Sequence, residues 1–213
     1  MLKKNLEEYS SKFKHISKNQ LERIQDYIDE NNFSEKDLKK FDNEYKRINE
    51  IETETLRMIF YIIPESTPRP RMNFLHGNFY VKNARSNNDF IKILMDREKF
   101  LNDYYIYTPC YFQCDMYFPI PSNMSKVDTL LAELGVIRPC NNKDWDNLGK
   151  TYSDMIQKYL LINDSLITTG ISRKFWSLKP RVEITLKYLI DFDCKYNKNV
   201  VEHSQAYKGI KIK

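Results

Sequence analysis

The sequence predicts an α+β domain with a mixed β-sheet and packed helices, preceded by an α-helical extension. Before residue 56, apolar side chains recur every three or four positions among charged ones, which is the period of amphipathic helices. After residue 56, short runs of β-branched and aromatic residues alternate with longer helical patterns. The change of period and a polar, Lys-rich end predict three regions: a helical extension at 1–55, a main domain at 56–190 and a C-terminal tail at 191–213.

The extension contains two amphipathic stripes, each with the spacing of a helix. They comprise Leu21, Ile24, Tyr27 and Ile28, and then Leu38, Phe41, Tyr45 and Ile48. Between them, Asn31 and Asn32 break the pattern, and Ser34 followed by Asp37 predicts a capping box that opens the second helix. The interpretation is a helical hairpin packed on the main domain. A dimerisation arm and a clamp on DNA are the alternatives that the sequence leaves open.

The main domain begins with a predicted strand at 56–63, which Pro64 ends. Residues 64–71 are expected to form a stiff loop, because each of their three prolines fixes φ and removes a donor. Further strands are predicted at 78–82, 110–118, 166–174 and 181–190, and helices at 84–100, 127–134 and 144–160. In the helix at 84–100, the side chains expected to face inward are Phe90, Ile91, Leu94 and Met95.

Basic side chains are concentrated after residue 55. Residues 1–55 hold 11 Lys and Arg against 13 Asp and Glu, whereas the whole chain holds 34 against 29. The part after residue 55 therefore carries 23 basic and 16 acidic side chains, a net charge of +7. Such an excess is expected of a domain that meets a polyanion.

Cysteine and histidine usage argues against a zinc site, because the four cysteines include no CxxC pair and the three histidines are scattered. The cysteines are interpreted as small buried hydrophobic residues. No run approaches the roughly 20 apolar residues that a membrane span needs, and the N-terminus lacks the apolar core of a signal peptide. The expectation is a cytoplasmic protein of a bacterial or phage-infected cell, without membrane partners and with reduced thiols.

The segment at 143–150, Lys-Asp-Trp-Asp-Asn-Leu-Gly-Lys, carries the side chains with the clearest chemical potential. It opens the predicted helix at 144–160, whose apolar residues share one side. Asp146 and Lys150 fall on the other side, four residues apart, and are therefore neighbours on the helix surface. Asp164 follows the helix, and a short turn could return it beside the sheet that the helix covers.

Carboxylates gathered around one point are what a hard divalent cation requires. Mg²⁺ takes oxygen ligands, can activate water and can neutralise charge on a leaving oxygen, while a nearby lysine stabilises the transition state. Asp144, Asp146 and Asp164 with Lys150 are therefore a chemically complete set for phosphodiester hydrolysis. A structural alternative stays open from these residues alone. Asp144 and Asp146 would then cap the helix and complement its dipole, with Lys150 as a salt-bridge partner.

A longer pattern extends this segment. It consists of Asp144-x-Asp146-Asn147-x-x-Lys150, then Asp154 within the helix, then Asn163-Asp164 before a strand. This pattern resembles the signature of the RusA family of Holliday-junction resolvases. Residues 62–71 are similar to that family's first strand and proline-containing loop, and residues 181–186 to its last strand. The resemblance covers about residues 56–190 in order, whereas the extension, residues 122–140 and the tail have no counterpart.

The resemblance implies that Asp144, Asp146 and Asp164 bind Mg²⁺, with Mn²⁺ as a candidate substitute, and that Lys150 assists catalysis. It also implies a homodimer that makes two symmetric nicks in a four-way DNA junction. One difference concerns Asn163, because the family often has two acids at this point. If the register were shifted by one residue, the third carboxylate would be missing.

Candidate DNA contacts are basic residues near the acidic segment. Arg69 and Arg71 lie on the stiff loop, Arg85 opens the next helix, and Arg173 and Lys174 lie on or near a later strand. Guanidinium groups suit bidentate phosphate contacts. The aromatic residues are interpreted mainly as core, with Phe175 and Trp176 as candidate exceptions that could stack on bases.

Two other functions compete with the nuclease. The first is a non-catalytic, structure-selective DNA-binding protein whose acidic cluster has lost its metal. A complete set of three acids and Lys150 argues against it, because a decayed site would be expected to have lost at least one acid. The second is a helical adaptor with a small α+β domain, which predicts no nucleic-acid binding at all.

Overall fold

The computed structural model describes residues 15–67, 71–73, 78–80, 85–98, 105–140, 144–157 and 159–190. The chain divides into two compact units, Met1–Glu52 and Thr53–Lys213. The predicted tail at 191–213 and Cys194 lie outside the described residues.

The first unit contains helices α1 (Lys18–Glu30) and α2 (Glu35–Glu50), as the two amphipathic stripes predict. The predicted capping box is confirmed. The Ser34 hydroxyl accepts a hydrogen bond from the Asp37 N–H at 3.3 Å, and the Asp37 carboxylate accepts one from the Ser34 N–H at 3.1 Å. The Asp37 carboxylate also accepts a hydrogen bond from the Ser34 hydroxyl at 2.6 Å, and this bond, followed by the one from the Ser34 N–H, lowers the pKa of Asp37. No residue of α1 or α2 is buried in the described structure, although each helix has an apolar side.

Within its described ranges, the second unit contains three α-helices, one 3₁₀ turn and six strands. The helices are α3 (Arg85–Glu98), α4 (Lys126–Glu133) and α5 (Trp145–Gln157), and the 3₁₀ turn is Asp164–Leu166. The strands are β1 (Thr53–Phe60), β2 (Arg71–Asn73), β3 (Asn78–Tyr80), β4 (Cys110–Pro119), β5 (Ile167–Ser177) and β6 (Arg181–Leu189).

Four strands form one mixed sheet in the order β1-β6-β4-β5, so the predicted fold class is confirmed. The β1–β6 and β6–β4 pairs are antiparallel, and the β4–β5 pair is parallel. Although β5 and β6 are consecutive, β4 lies between them, and residues 178–180 carry the chain past the end of β4. Strands β2 and β3 form a separate antiparallel pair.

The core lies on one face of the mixed sheet. Because side chains alternate along a strand, the even-numbered residues of β4 share one face with the inward residues of β1 and β6. The sheet side of this core consists of Phe112, Cys114, Met116, Phe118, Val182, Ile184, Leu186, Met58 and Phe60. Phe90 of α3 contacts Phe60 and Tyr152 of α5, with ring centroids 4.3 and 5.2 Å apart. Helices α3 and α5 thus supply the other half of this core.

Several predictions about element boundaries and burial are wrong in detail. The first strand begins at Thr53 and ends at Phe60, three residues before the predicted limits, because pairing with β6 sets its length. Strand β3 is described as Asn78–Tyr80, so residues 81–82 of the predicted strand lie outside the described residues, and its antiparallel partner β2 was not predicted. Met95 is 51% exposed, since α3 buries the side that carries Phe90 and Leu94.

The cysteines divide into two kinds. Cys110 and Cys114 are buried as expected, and burial raises the pKa of Cys110 to about 12 and that of Cys114 well above its ordinary value. Cys140 is exposed, which contradicts the expectation of burial, because it follows α4 in a surface connection rather than a strand. Among the helices that the structure describes, none is long and apolar enough to cross a membrane.

Candidate active site

Helix α5 is held directly on strand β5 near its N-terminal end. Gly149 is buried against Ser172, and a Cβ at position 149 would lie 3.2 Å from the Ser172 Cβ. The indole N–H of Trp145 donates a hydrogen bond to the Ser172 carbonyl oxygen at 2.6 Å. Trp145 is nevertheless 57% exposed, so it lies at the edge of the apolar side rather than within it. The buried side of α5 carries Leu148, Tyr152 and Ile156, which fixes the opposite side toward solvent.

The exposed side of α5 carries Asp146, Lys150 and Asp154 at intervals of four residues. Each interval corresponds to about 6 Å along the helix axis. Asp144 precedes the helix, and its carbonyl oxygen accepts a hydrogen bond from the Leu148 N–H at 3.1 Å. The Lys150 ammonium group therefore lies between the carboxylates of Asp146 and Asp154 along one helix face. The Asp144 carboxylate is just before the start of the helix.

Asp164 begins the 3₁₀ turn that follows α5, and this turn contacts the helix. The side chain of Asn163 accepts a hydrogen bond from the Ser165 N–H at 2.8 Å and so caps the turn. Asn163 therefore has a local structural role at the position where the family often has an acid. Asp164 itself is exposed.

The pKa of the Asp154 carboxyl reflects the charged groups around it. Its pKa is raised, chiefly by partial burial; Lys150 opposes the shift and Asp164 adds to it. Asp164 therefore lies within electrostatic reach of Asp154 after the chain has turned back from the helix. Asp146 is eight residues from Asp154, or about 12 Å along the axis. The acids are thus distributed along the face rather than gathered at one end.

The predicted ligands Asp144, Asp146 and Asp164 do not form one closed metal site in the part of the chain that the structure describes. Among those residues, no group of three or more His, Cys, Asp or Glu side chains could hold a metal ion. The chemistry of the donors still suits Mg²⁺, which is commonly held by one or two protein carboxylates, with phosphate oxygens and water as the remaining ligands. Their assignment as ligands stays a prediction.

The loop after β1 is fastened to α5 by hydrogen bonds. The Thr67 N–H donates to the Thr151 hydroxyl at 2.8 Å, and the Asn147 side-chain amide donates to the Thr67 carbonyl oxygen at 3.4 Å. The Thr151 hydroxyl donates in turn to the Asn147 carbonyl oxygen at 2.8 Å. Nearer to β1, the Glu65 N–H donates to the Tyr152 hydroxyl at 3.1 Å. This part of the site was not predicted, and its one sequence signal is a hydroxyl residue within the helix.

Both hydroxyl groups that hold this loop lie in the interior. Tyr152 is fully buried, and Thr151 is 2% exposed. Burial raises the pKa of Tyr152, so its hydroxyl stays protonated while it accepts the hydrogen bond from Glu65. Two adjacent helix residues therefore hold the backbone of Glu65 and Thr67 beside the acidic face of α5.

The predicted DNA contacts differ in what the structure says about them. Arg69 lies outside the described residues. The backbone places Arg71 in β2 and Arg85 at the start of α3, and their side chains lie outside the description. For these three arginines, DNA contact stays a prediction.

Arg173 and Lys174 lie on opposite faces of the sheet, because they are consecutive residues of β5. Lys174 shares the face of Ser172, which is the face that α5 covers. Arg173 is on the other face, where its Nε donates to the Asp115 carboxylate at 2.6 Å. Asp115 is 5% exposed and also accepts a hydrogen bond from the Gln113 side chain at 2.8 Å. Arg173 is therefore engaged with Asp115 on the face away from α5, and DNA contact by Arg173 and by Lys174 stays a prediction.

The two aromatic residues singled out as candidate stacking groups are already packed. Trp176 lies against the core and contacts Phe118, with ring centroids 6.4 Å apart. Phe175 stacks on Tyr117 at 4.8 Å, and the Arg138 guanidinium lies 3.8 Å from the centre of its ring. Neither ring is an open platform beside α5.

Two comparisons with known proteins show what this chain is similar to. The family model described as "Endodeoxyribonuclease RusA" matches residues 62–187, which is more than half of the chain and includes every residue of the acidic face. The uncharacterized protein YqaN of Bacillus subtilis (strain 168) is 24% identical over 135 residues, which cover 62% of this chain and 95% of that protein. The match over 62–187 leads to one conclusion: the chain belongs to the RusA family of endodeoxyribonucleases, whose general activity is Holliday-junction resolution.

Proposed function

We propose that this chain is a Mg²⁺-dependent endonuclease that resolves four-way DNA junctions by two symmetric nicks, acting as a homodimer. The observation that carries the proposal is the exposed face of α5, along which Asp146, Lys150 and Asp154 follow one another. Asp164, in the turn after the helix, interacts electrostatically with Asp154. Membership of the RusA family supplies the general activity. Two symmetric nicks require two active sites, which one copy of this domain does not provide.

The metal would be held by Asp146 together with Asp144 or Asp164, and DNA phosphate oxygens would complete its ligands. When bound, such an ion supplies a Lewis acid for the phosphoryl oxygens and lowers the pKa of water. Mn²⁺ is a candidate substitute because it also prefers oxygen ligands. These carboxylates therefore bind and orient, while the basic residues proposed to flank them supply the positive charge that DNA needs.

Lys150 is proposed as the catalytic lysine. It lies one helical turn from both Asp146 and Asp154, so its ammonium group is kept near the acidic face. A cation at this position would stabilise the negative charge that develops on the phosphate in the transition state. Lys174, on the same side of the sheet as α5, is the proposed contact to the flanking backbone.

A second candidate function is a DNA-binding protein that does not cut. It is favoured by one observation, namely that no three metal-binding side chains are gathered together among the described residues. This candidate shares the basic residues and the junction preference but predicts no metal-dependent product.

The test is cleavage of a synthetic four-way junction beside a linear duplex of the same sequence, with Mg²⁺ and then with EDTA. Paired nicks that appear only on the junction and only with the metal would support the proposed function. Tight junction binding without nicks would favour the second candidate. Equal cleavage of the linear duplex would contradict the proposed selectivity for branched DNA.

A further inference from the structure

We propose that Trp145 is a positioning residue for the metal site: its indole N–H ties the first turn of α5 to β5, and thereby holds Asp144 and Asp146 in the arrangement that binds Mg²⁺. Trp145 stands between the two acids in the sequence. This inference rests on the proposed function, because it assumes that these carboxylates are Mg²⁺ ligands.

The first support is the place of the two acids in the helix. The Asp144 carbonyl oxygen accepts a hydrogen bond from the Leu148 N–H, so Asp144 is the N-cap residue of α5, and Asp146 lies in the first turn. The first N–H groups of an α-helix have no partner within the helix, and helix ends fray for this reason. Two carboxylates at such an end need a contact outside the helix to keep a fixed arrangement.

The second support is the contact that Trp145 makes. Its indole N–H donates to the Ser172 carbonyl oxygen at 2.6 Å. Gly149, one turn later on the same side of α5, is packed against the Ser172 side chain. Both contacts are with the same residue of β5. The side chain of Trp145 therefore fixes the first turn of α5, while the close approach of Gly149 fixes the turn that follows.

The third support is the position of Ser172 at an edge of the sheet. Strand β5 is the last in the order β1-β6-β4-β5, and outward backbone groups of an edge strand have no strand partner among the described strands. Carbonyl directions alternate along a strand, so Lys174 directs its carbonyl oxygen to the same side as Ser172. The Lys174 carbonyl oxygen accepts a hydrogen bond from the Arg138 guanidinium at 2.9 Å. Side-chain donors thus replace the missing strand at both positions.

The exposure of Trp145 points to the same role. A tryptophan that is 57% exposed gains little from burial, so the hydrogen bond to Ser172 is the main reason for the orientation of its ring. Loss of that bond would release the first turn of α5 while the buried side of the helix, with Leu148 and Tyr152, stays packed. The change would consequently be local to the residues that carry the two acids.

The test compares two substitutions that separate the N–H from the ring. Trp145→Phe keeps an aromatic ring but removes the donor. Trp145→His loses the larger ring but keeps an N–H, because its Nε2 has the same place in the five-membered ring as the indole nitrogen. Mg²⁺ prefers oxygen ligands, so the histidine itself should not bind it. Trp176→Phe is the matched control, since it replaces the other tryptophan of the chain, whose ring contacts Phe118.

The first measurement is Mg²⁺ binding without DNA, followed through the backbone amide shifts of residues 144–150. We expect Trp145→Phe to weaken Mg²⁺ binding about tenfold, the lower end of the range for residues that orient a metal ligand. Trp145→His and Trp176→Phe should bind Mg²⁺ like the wild type. In junction cleavage, Trp145→Phe should need about ten times more Mg²⁺ for half of the maximal rate. Its kcat at saturating Mg²⁺ and its KM for the junction should stay nearly unchanged.

The second measurement is hydrogen exchange of the indole N–H, made without metal or DNA. The chain has two tryptophans, so Trp176→Phe assigns both indole signals. The Trp145 N–H should exchange more slowly than that of free tryptophan, because it is held by the Ser172 carbonyl oxygen. Thermal melts of each variant without metal report any loss of stability separately. If Trp145→Phe does not fold, Trp145→Leu takes its place, since leucine is a good helix former that also lacks a donor.

Slow indole exchange, weaker Mg²⁺ binding in Trp145→Phe and normal binding in Trp145→His support the inference. An equal loss in both Trp145 variants, or a loss no greater than in Trp176→Phe, overturns it. Weaker junction binding with unchanged Mg²⁺ affinity also overturns it, because the indole would then contact DNA. Exchange as fast as in free tryptophan overturns the anchor. If the wild type binds no Mg²⁺, the proposed function fails and the positioning role fails with it, whereas the exchange result still reports on the anchor.

Discussion

Gly149 and Ser172 face each other across the contact between α5 and β5 with no space for a side chain on the glycine. A Cβ at position 149 would overlap the Ser172 hydroxyl oxygen. The pair therefore sets the distance between the sheet and the helix that carries the acidic face. Any residue larger than glycine must move either Ser172 or the helix.

This relationship predicts strong coupling between substitutions at the two positions. Gly149→Ala gains helix propensity of about 1 kcal/mol, but in the wild-type background the contact with Ser172 should offset that gain. In the Ser172→Gly background the obstruction is gone, and Gly149→Ala should stabilise the fold. Urea unfolding of all four proteins gives the coupling free energy, expected to be about 1 kcal/mol or more. A coupling near zero would contradict the tight contact.

Asp146→Asn should abolish cleavage of the four-way junction while junction binding is retained, because the amide preserves shape but removes a charged oxygen ligand. The expected loss of rate exceeds about 100-fold, the upper range for residues that only support a ligand. Asp26→Asn, an exposed acid of α1, is the control and should leave cleavage unchanged. Equal loss of binding and cleavage in Asp146→Asn would argue against a ligand role.

Arg173→Ala and Lys174→Ala should affect different properties although the residues are consecutive. Removal of Arg173 takes the ion-pair partner from the nearly buried Asp115, and should lower the free energy of unfolding by about 1–3 kcal/mol. Lys174→Ala should instead weaken junction binding and make its salt dependence shallower by about one unit of slope. Thermal unfolding and binding titrations at several salt concentrations measure both. If Arg173→Ala weakened junction binding and Lys174→Ala lowered stability, the roles proposed for the two residues would be reversed.

The raised pKa of Asp154 predicts a specific dependence of stability on pH. Because the folded state holds the proton more tightly than the unfolded state, stability falls as pH rises from the ordinary pKa of 3.8 through the folded pKa. Asp154→Asn should therefore be more stable than the wild type at pH 7, and this advantage should shrink below about pH 4. Thermal melts across this range test the prediction. If Asp154→Asn and the wild type differed in stability by the same amount at all pH values, ionisation of the Asp154 carboxyl would not be the cause of the difference.

Removal of residues 1–52 should leave the mixed sheet folded, since every described strand pair lies in the second unit. We expect cleavage to survive the deletion. A deletion that extends to residue 55 should be less stable, because it also removes the first three residues of β1. Circular dichroism and sedimentation of both truncated proteins distinguish these effects. Loss of dimerisation on removal of 1–52 would identify the extension as a dimerisation arm.

Features that depend on neighbours in sequence were predictable. The capping box of Ser34 and Asp37 uses residues three apart, and the alternation along β4 follows from the strand period alone. The limits of β1 were harder to predict from the sequence, because they follow from pairing with a strand more than 120 residues later. Local rules give the type of an element, whereas its ends depend on a distant partner.

The site shows the same division. The placement of Asp146 and Lys150 as neighbours on one helix face could be predicted, since it follows from helical spacing. The separation of Arg173 from Lys174 required knowledge that both lie within a strand whose two faces have different neighbours. The contact of Thr151 with Thr67 could not be predicted, because the two residues are 84 positions apart and no local pattern pairs them.

The central place of β6 in the sheet has a consequence for how the protein is made. Strand β6 is the last strand described, yet it is the partner that joins β1 to the rest of the sheet. During synthesis, β1 emerges early and has no place in the sheet until residues 181–189 have left the ribosome. Nascent chains that stop before this point lack a complete sheet beneath the acidic helix. Translation must therefore pass residue 189 before the acidic helix has its full support.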